Sequence, residues 1–291
     1  MRFSRLGILV FILFTVLTGT NCSYYNRVMA RKNLVDGASA YKNRKFQEAE
    51  QLFRNAVARD PEGKTMEGQT AQLFLARTLH SEYIGNRQDT GKAEEAIKEY
   101  QRVLKEKKDD QSSFKAVGNL LETLQKQDEW QKWVTERAEN TQVENKFRSE
   151  AYTMLASKKN SCASDISDVE AVKKTITGAD GKQVFQFVKP ANAADFDTLK
   201  KCTEEGLALA NKAVEFDDNS DSAWSYKTSL LVQKMRVAEM EGNTAEKDSY
   251  KKQADQAKEK FSVLAEAKRK KEEEEVAKKK AEEEAANTKK K

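Results

Sequence analysis

The stretch NLVDGASAYKNRKFQEAEQLFRNAVARDP, residues 33–61, decides how the rest of the chain is read. Gly37 and Ala49 are small residues, one on each of two expected helices, and they let the two backbones cross closely. Tyr41, Phe46, Leu52, Phe53 and Ala56 recur at helical spacing and give an apolar stripe aimed at the partner helix. A short turn at 43–45 separates the helices, and Pro61, which cannot continue a helix interior, ends the second. The stretch reads as one antiparallel helix pair with a link to a following unit.

This order of small, aromatic, Ala, aromatic, Ala and Pro resembles the tetratricopeptide repeat family, although Asn33 and Asp36 stand where the family's first helix has Trp and Leu. A single repeat cannot bury its apolar face, so further units are required. A second runs from about Gln69 to Lys108, with Leu75, Ala76 and Leu79 on one helix and Ala96, Ile97, Tyr100, Val103 and Leu104 on the other, joined by a longer turn at 85–91. A third covers 112–138, with Phe114, Gly118, Leu121 and Leu124, then Trp130, Trp133 and Val134 in a degenerate second helix. A fourth pairs a helix at 146–158 with one holding Gly206, Leu207, Leu209, Ala210, Ala213, Val214 and Phe216, closed by Asp217-Asp218-Asn219. A fifth pairs 223–241 with a helix from Thr244 onward, across the Gly242-Asn243 break. Two prolines, both at expected boundaries, leave long helices unbroken, and 38% apolar residues suffice for a thin layered core.

One stretch within the fourth unit is not helical in pattern. Thr175-Ile176-Thr177 and residues 183–188 alternate like hairpin strands about an Asp180-Gly181 turn, and Pro190 closes the segment. An insertion at 160–193 is therefore expected, whose Val184, Phe185 and Phe187 either meet a partner or pack back on the helices.

At the N-terminus, Arg2 and Arg5 precede the apolar run 6–17 and then Thr18-Gly19-Thr20-Asn21-Cys22, the layout of a secretory signal. The run is short against the roughly 20 residues of a membrane span. The placement of Cys22 resembles a bacterial lipoprotein signal, with departures at Asn21 and Gly19, and implies acylation of that cysteine; an uncleaved anchor is the alternative. With Cys22 assigned to lipid, Cys162 and Cys202 are left as one possible disulfide in an oxidising compartment, the alternative being two buried thiols.

The expected fold is all-α, a tetratricopeptide-like α-solenoid of antiparallel helix pairs with a small β-hairpin insertion and a charged C-terminal helix. Its organisation is signal peptide 1–21, tether 22–32, repeats 33–140, degenerate helical repeats 141–262 and a charged tail 263–291. In the tail, Lys268 faces Glu272, Arg269 faces Glu273, Glu274 faces Lys278 and Lys278 faces Glu282, all four apart, which supports a solvated helix. The formal charge of +5 falls to about +3 without Arg2 and Arg5, too mild for a nucleic-acid footprint.

Nothing nominates catalysis, a metal or a cofactor. The chain has one histidine, His80, no phosphate-cradling glycine loop and no metal-ligand spacing of cysteines. Asp217, Asn219 and Asp221 imitate a calcium loop, but Ser222 and Thr228 stand where Gly and a bidentate Glu are needed, so helix capping by Asp221 or Ser222 explains them. The family resemblance implies a concave groove lined by first helices, which places Leu34, Ala38, Tyr41, Arg77, His80, Lys115, Asn119 and Glu122 against a peptide or protein partner. Arg77 and Lys115 are expected to hold a carboxylate while Tyr41 packs its aliphatic part. The carboxylate clamp of chaperone-binding relatives needs Lys and Asn where Leu34 and Ala38 stand. The expected function is a membrane-tethered, periplasm-facing adaptor of the bacterial envelope, on the outer membrane and not an enzyme. The alternative is a lipid-anchored spacer reaching toward the cell wall.

Overall fold

The computed structural model describes residues 5–177 and 181–288, with side chains given for 24–177 and 181–282. The apolar run 6–17 and Cys22 lie outside the described side chains, as the 178–180 turn lies outside the described residues. Among the described residues, no helix is long and apolar enough to cross a membrane. The chain divides into two compact units, Met1–Trp130 and Gln131–Lys291.

In the first unit, α1 (Arg5–Lys42), α2 (Phe46–Arg59), α3 (Met66–Gly85), α4 (Thr90–Glu106) and α5 (Gln111–Thr123) pack each on the next, and α1 also touches α3. That is the contact pattern of stacked antiparallel helix pairs. The small residues act differently from the close backbone crossing expected of them: the room left by Gly37 is filled by the Phe53 ring, whose Cε1 would lie 2.7 Å from an added Cβ. Within the segment 22–32, expected as a tether, residues 24–32 are helical and make packing contacts. Ala30 is buried, Arg27 Nε donates to Glu67 Oε2 at 3.2 Å, and Arg59 Nη1 donates to Asn26 Oδ1 at 3.1 Å.

The second unit repeats the scheme with α7 (Asn145–Ser167), α8 (Ala193–Phe216), α9 (Asp221–Glu241) and α10 (Thr244–Thr288); α7 also touches α9. Between the units' cores in sequence, α6 (Gln127–Glu139) buries Trp130, Val134 and Ala138. Gly206 on α8 lets Leu230 and Lys159 approach, since a Cβ there would meet Leu230 Cδ2 at 2.6 Å. The insertion is shorter than expected, because α7 runs on to Ser167. Strands β1 (Lys173–Thr177) and β2 (Gln183–Phe187) pair antiparallel with Ile176 opposite Val184. Phe187 packs under Arg236 at 4.4 Å and joins the cluster of Ala163, Val172, Leu199, Cys202, Val237 and Met240, while Phe185 is 61% exposed.

Three turns within helix pairs close the same way. At Arg44, Gln125 and Gly242 the backbone is left-handed, with φ of 59°, 57° and 75°, and the next residue's N–H returns five residues back. This satisfies carbonyls that the helix end leaves open. Three links between successive pairs instead end in capping side chains, Thr65, Asp110 and Ser220, whereas Glu144 before α7 makes no side-chain cap. The cap of α9 is thus Ser220, accepting from Ala223 N at 3.2 Å, and not Asp221 or Ser222. Asp221 instead pairs with Lys268 at 3.0 Å.

Candidate functional site

The candidate groove is built where α1 and α3, the first helices of two successive pairs, lie side by side. Leu34, Ala38 and Tyr41 stand half-buried at helical spacing on α1, and Arg77 and His80 likewise on α3. Tyr41 joins the two helices. Its ring sets an edge on Phe46 at 5.4 Å and on Phe74 at 6.1 Å, and its hydroxyl lies 3.0 Å from Ser81 Oγ. Ser81 has a single hydroxyl proton, which goes to the Arg77 carbonyl at 2.9 Å, so Tyr41 is the donor to Ser81. Phe74 also stacks on Phe53 at 5.4 Å and carries the Arg77 guanidinium 5.7 Å from its ring centre. The result is an aromatic floor with one cation held above it.

Arg77 is also electrostatically coupled to Tyr100 and to Asp110, the cap of α5. Burial pushes the Asp110 carboxyl up, but hydrogen bonds from Ser113 N and Ser112 Oγ, with the Arg77 charge, leave it below the usual carboxylate value. Lys115 and Asn119 are exposed on α5 and Glu122 is half-buried, spaced to share one helix face. Arg77 thus sits over Phe74, and its charge is felt at Tyr100 and Asp110.

His80 is seated inside the α3–α4 pair. Its ring meets Tyr100 edge to face at 6.0 Å, with Nδ1 at 3.4 Å from the Tyr100 hydroxyl. Burial, with the nearby Arg87 charge, lowers the His80 pKa, and burial pushes Tyr100 up to about 12. At neutral pH a neutral imidazole therefore faces an un-ionised phenol, which is a packing role.

The charge network beside this face was not anticipated from sequence. Glu50 Oε1 accepts from Arg54 Nη2 at 2.7 Å, Arg54 Nη2 reaches Glu95 at 2.6 Å, and Lys92 Nζ donates to Glu50 Oε2 at 2.6 Å. Lys92 also stands 2.8 Å from Glu82 Oε2, close enough to pair electrostatically but without hydrogen-bond alignment. Burial raises the Glu82 pKa and the neighbouring Glu50 charge adds to it, whereas the hydrogen bonds from Lys92 and Arg54 to Glu50 outweigh burial and lower that carboxyl. The Glu50–Arg54 spacing of four was visible in the sequence; the partners on α3 and α4 needed the fold. Among the described residues, no group of three or more His, Cys, Asp or Glu side chains could hold a metal ion.

In the second unit, Cys162 on α7 and Cys202 on α8 form a disulfide, with Cα atoms 6.1 Å apart.

No protein-family model and no curated protein matches this chain. Solved structures similar to it include pilF of Pseudomonas aeruginosa, at 12% identity with 83% of this chain and 99% of that one covered, TM-score 0.38. Another is YrrB, described as a TPR protein with an unusual peptide-binding site, at 12% identity over 86% and 97%, TM-score 0.39. MamA is a third, at 14% identity over 81% and 94%, TM-score 0.40. At such TM-scores the fold rests on the chain's own helix pairs: each unit is an all-α, tetratricopeptide-like solenoid, the second carrying the hairpin.

Proposed function

We propose that the chain is a non-catalytic adaptor that binds a protein or peptide along the α1–α3 face, exported and held at the membrane of a bacterial envelope by lipid on Cys22. The observation that carries the binding reading is the half-exposed floor of Tyr41 and Phe74 with Arg77 above it, an apolar surface beside one cation. Such a surface suits an extended or helical segment that brings a carboxylate next to an apolar side chain. The leader layout and the Cys162–Cys202 disulfide support export. A periplasm-facing, outer-membrane lipoprotein is the form this takes.

Affinity capture of the tagged full chain after membrane extraction tests the reading, comparing wild type with Arg77→Gln plus Lys115→Gln. Loss of a wild-type partner from a variant that melts normally is expected. An identical partner set in both would leave the face without a role. A spacer is the second reading, favoured by the exposed surface of α10 from Glu266 to Glu282; it requires that capture be empty in both.

A further inference from the structure

One face of α1 is left uncovered by the helix pairs. At about 100° per residue, Tyr24, Val28, Arg31 and Val35 fall within roughly 60° of one another. All four are exposed, Tyr24 at 73%, Val28 at 46% and Val35 at 60%. Ala30, Gly37 and Ala40, on the opposite side of the helix, are buried in the first unit. Scattered apolar residues on a surface need no explanation, but an apolar stripe in line over about three turns marks a contact surface.

Charge and position say what covers it. No acidic residue precedes Asp36 in the chain, and Arg27 and Lys32 flank the stripe that Arg31 interrupts. Glu67 takes up Arg27 at 3.2 Å and feels Arg31 more weakly, so the face keeps a positive balance. The stripe begins two residues after Cys22, with the apolar run 6–17 before that. A tyrosine at its head suits the level of lipid headgroups, where an apolar ring and a polar hydroxyl are both accommodated. We propose that the exposed face of α1 over residues 24–35 lies flat on an anionic bilayer. Tyr24, Val28 and Val35 reach the upper acyl chains, and Arg31 and Lys32 meet the lipid phosphates. The inference rests on the membrane tether proposed above, because so small an apolar face holds a bilayer only beside a second anchor.

The test reconstitutes the full chain, extracted from membranes, in vesicles of phosphatidylglycerol and a phosphatidylcholine brominated near the top of its acyl chains. Tyr24→Trp, Val28→Trp and Val35→Trp, made separately, are compared with Lys98→Trp at an exposed position of α4. Quenching of tryptophan emission beyond the wild-type background is expected at 24, 28 and 35 and not at 98. Arg31→Gln plus Lys32→Gln in the Val28→Trp protein should cut that quenching severalfold, since each basic residue near an anionic surface is worth about fivefold in binding. Vesicles of phosphatidylcholine alone should do the same. Flotation of the vesicles reports the tether separately. Protein that floats without quenching at 28 and 35 overturns the proposal and leaves the tether standing, whereas protein that does not float overturns both. Quenching at 24 alone would stand α1 upright on the membrane, and quenching indifferent to lipid charge and to the double variant would belong to the tether; either overturns the proposal. So does a blue shift that grows with protein concentration in detergent without quenching in vesicles, which gives the stripe to a second copy of the chain.

Discussion

Asp60 closes the link between the first two helix pairs with both of its oxygens. Oδ2 accepts from Thr65 N and Thr65 Oγ1, each at 2.7 Å, and Oδ1 accepts from Lys64 N at 3.0 Å. Gly68 is buried against the carboxylate, and any side chain there would collide with it. Partial burial pushes the Asp60 pKa up, yet the Thr65 and Lys64 hydrogen bonds prevail and hold it below 3.8. A lowered folded-state pKa means that the stabilisation is complete above the unfolded value and fades as pH falls through the folded one. Asp60→Asn points an N–H₂ at donors that needed an oxygen, so it should cost about 1 kcal/mol at pH 7, allowing for solvent at this partly exposed site. The wild-type advantage should shrink toward zero well below pH 3.8, measured by urea unfolding of both proteins across pH. Glu82 and Glu99, both raised by burial, act in the opposite sense, but they cancel between the two proteins. A variant equally destabilised at all pH values would show that Asp60 works through shape and not charge. At this scale the sequence was read correctly for the burial of Ala49 and Phe53, while Gly37 makes room for the Phe53 ring and not, as expected, for a close backbone crossing at Ala49. Asp60 escaped because its partners, Lys64 N and Thr65 N, come from the folded backbone around it.

Helix α7 is longer than its sequence suggests, and the reason lies in its neighbours. Residues 160–167 read NSCASDIS, rich in Ser, Asn and Asp, which compete for backbone hydrogen bonds and favour caps over helix interiors. Tertiary contacts override that preference. Ala163 is buried, Ser167 Oγ donates to Gln233 Oε1 at 2.8 Å, Gln233 Nε2 donates to Ser164 Oγ at 3.0 Å, and Cys162 is tied to Cys202. The closed loop spans a separation of 40 residues. In the chain-entropy picture it stabilises by about 3–4 kcal/mol. Cys162→Ser plus Cys202→Ser should therefore lower the urea midpoint of the second unit, followed by far-UV circular dichroism. Dithiothreitol should lower wild type to the same level and leave the variant unchanged. Amide exchange in 160–167 should rise with it, since those turns depend most on the cross-link. If reduction leaves the midpoint in place, packing alone holds the end of α7. The hairpin shows the complementary case: strand alternation and the Asp180-Gly181 pair announced it, but which apolar residues pack was not legible. Phe187 packs because Arg236 and the α9 side chains reach it, while Phe185 extends beyond them.

Helical periodicity gave the order of the helix pairs along the whole chain, because each pair buries its own stripe against its sequence neighbours. It did not give the extent of α1, since the packing of 24–32 depends on Glu67 and Arg59, far away in sequence. The charged tail is the opposite extreme, where sequence rules operate without tertiary help. Among the described side chains of α10, Ala257 is the last that is buried, packed with Ala254 and Leu231, and farther along Lys268 pairs with Asp221. Every residue from Glu266 to Glu282 is exposed. Arg269 pairs with Glu266 and Glu273 at 2.8 Å each, the latter as expected from spacing, and such solvent-screened pairs support the helix only weakly. Twenty or so residues of solvated helix extend about 30 Å at 1.5 Å per residue. A chain ending at Lys270 keeps the Asp221 tie and all buried contacts of α10, so its melting temperature should match wild type within about 2 °C while far-UV ellipticity falls by the share of the removed helix. A drop of about 5 °C or more would mean that the tail folds back on the body, which its exposure argues against, and a melting temperature unchanged with no loss of ellipticity would mean that the tail is not helical in solution. The expected pair of results makes the tail a stalk, contributing reach without contributing to the stability of the helices that carry the groove.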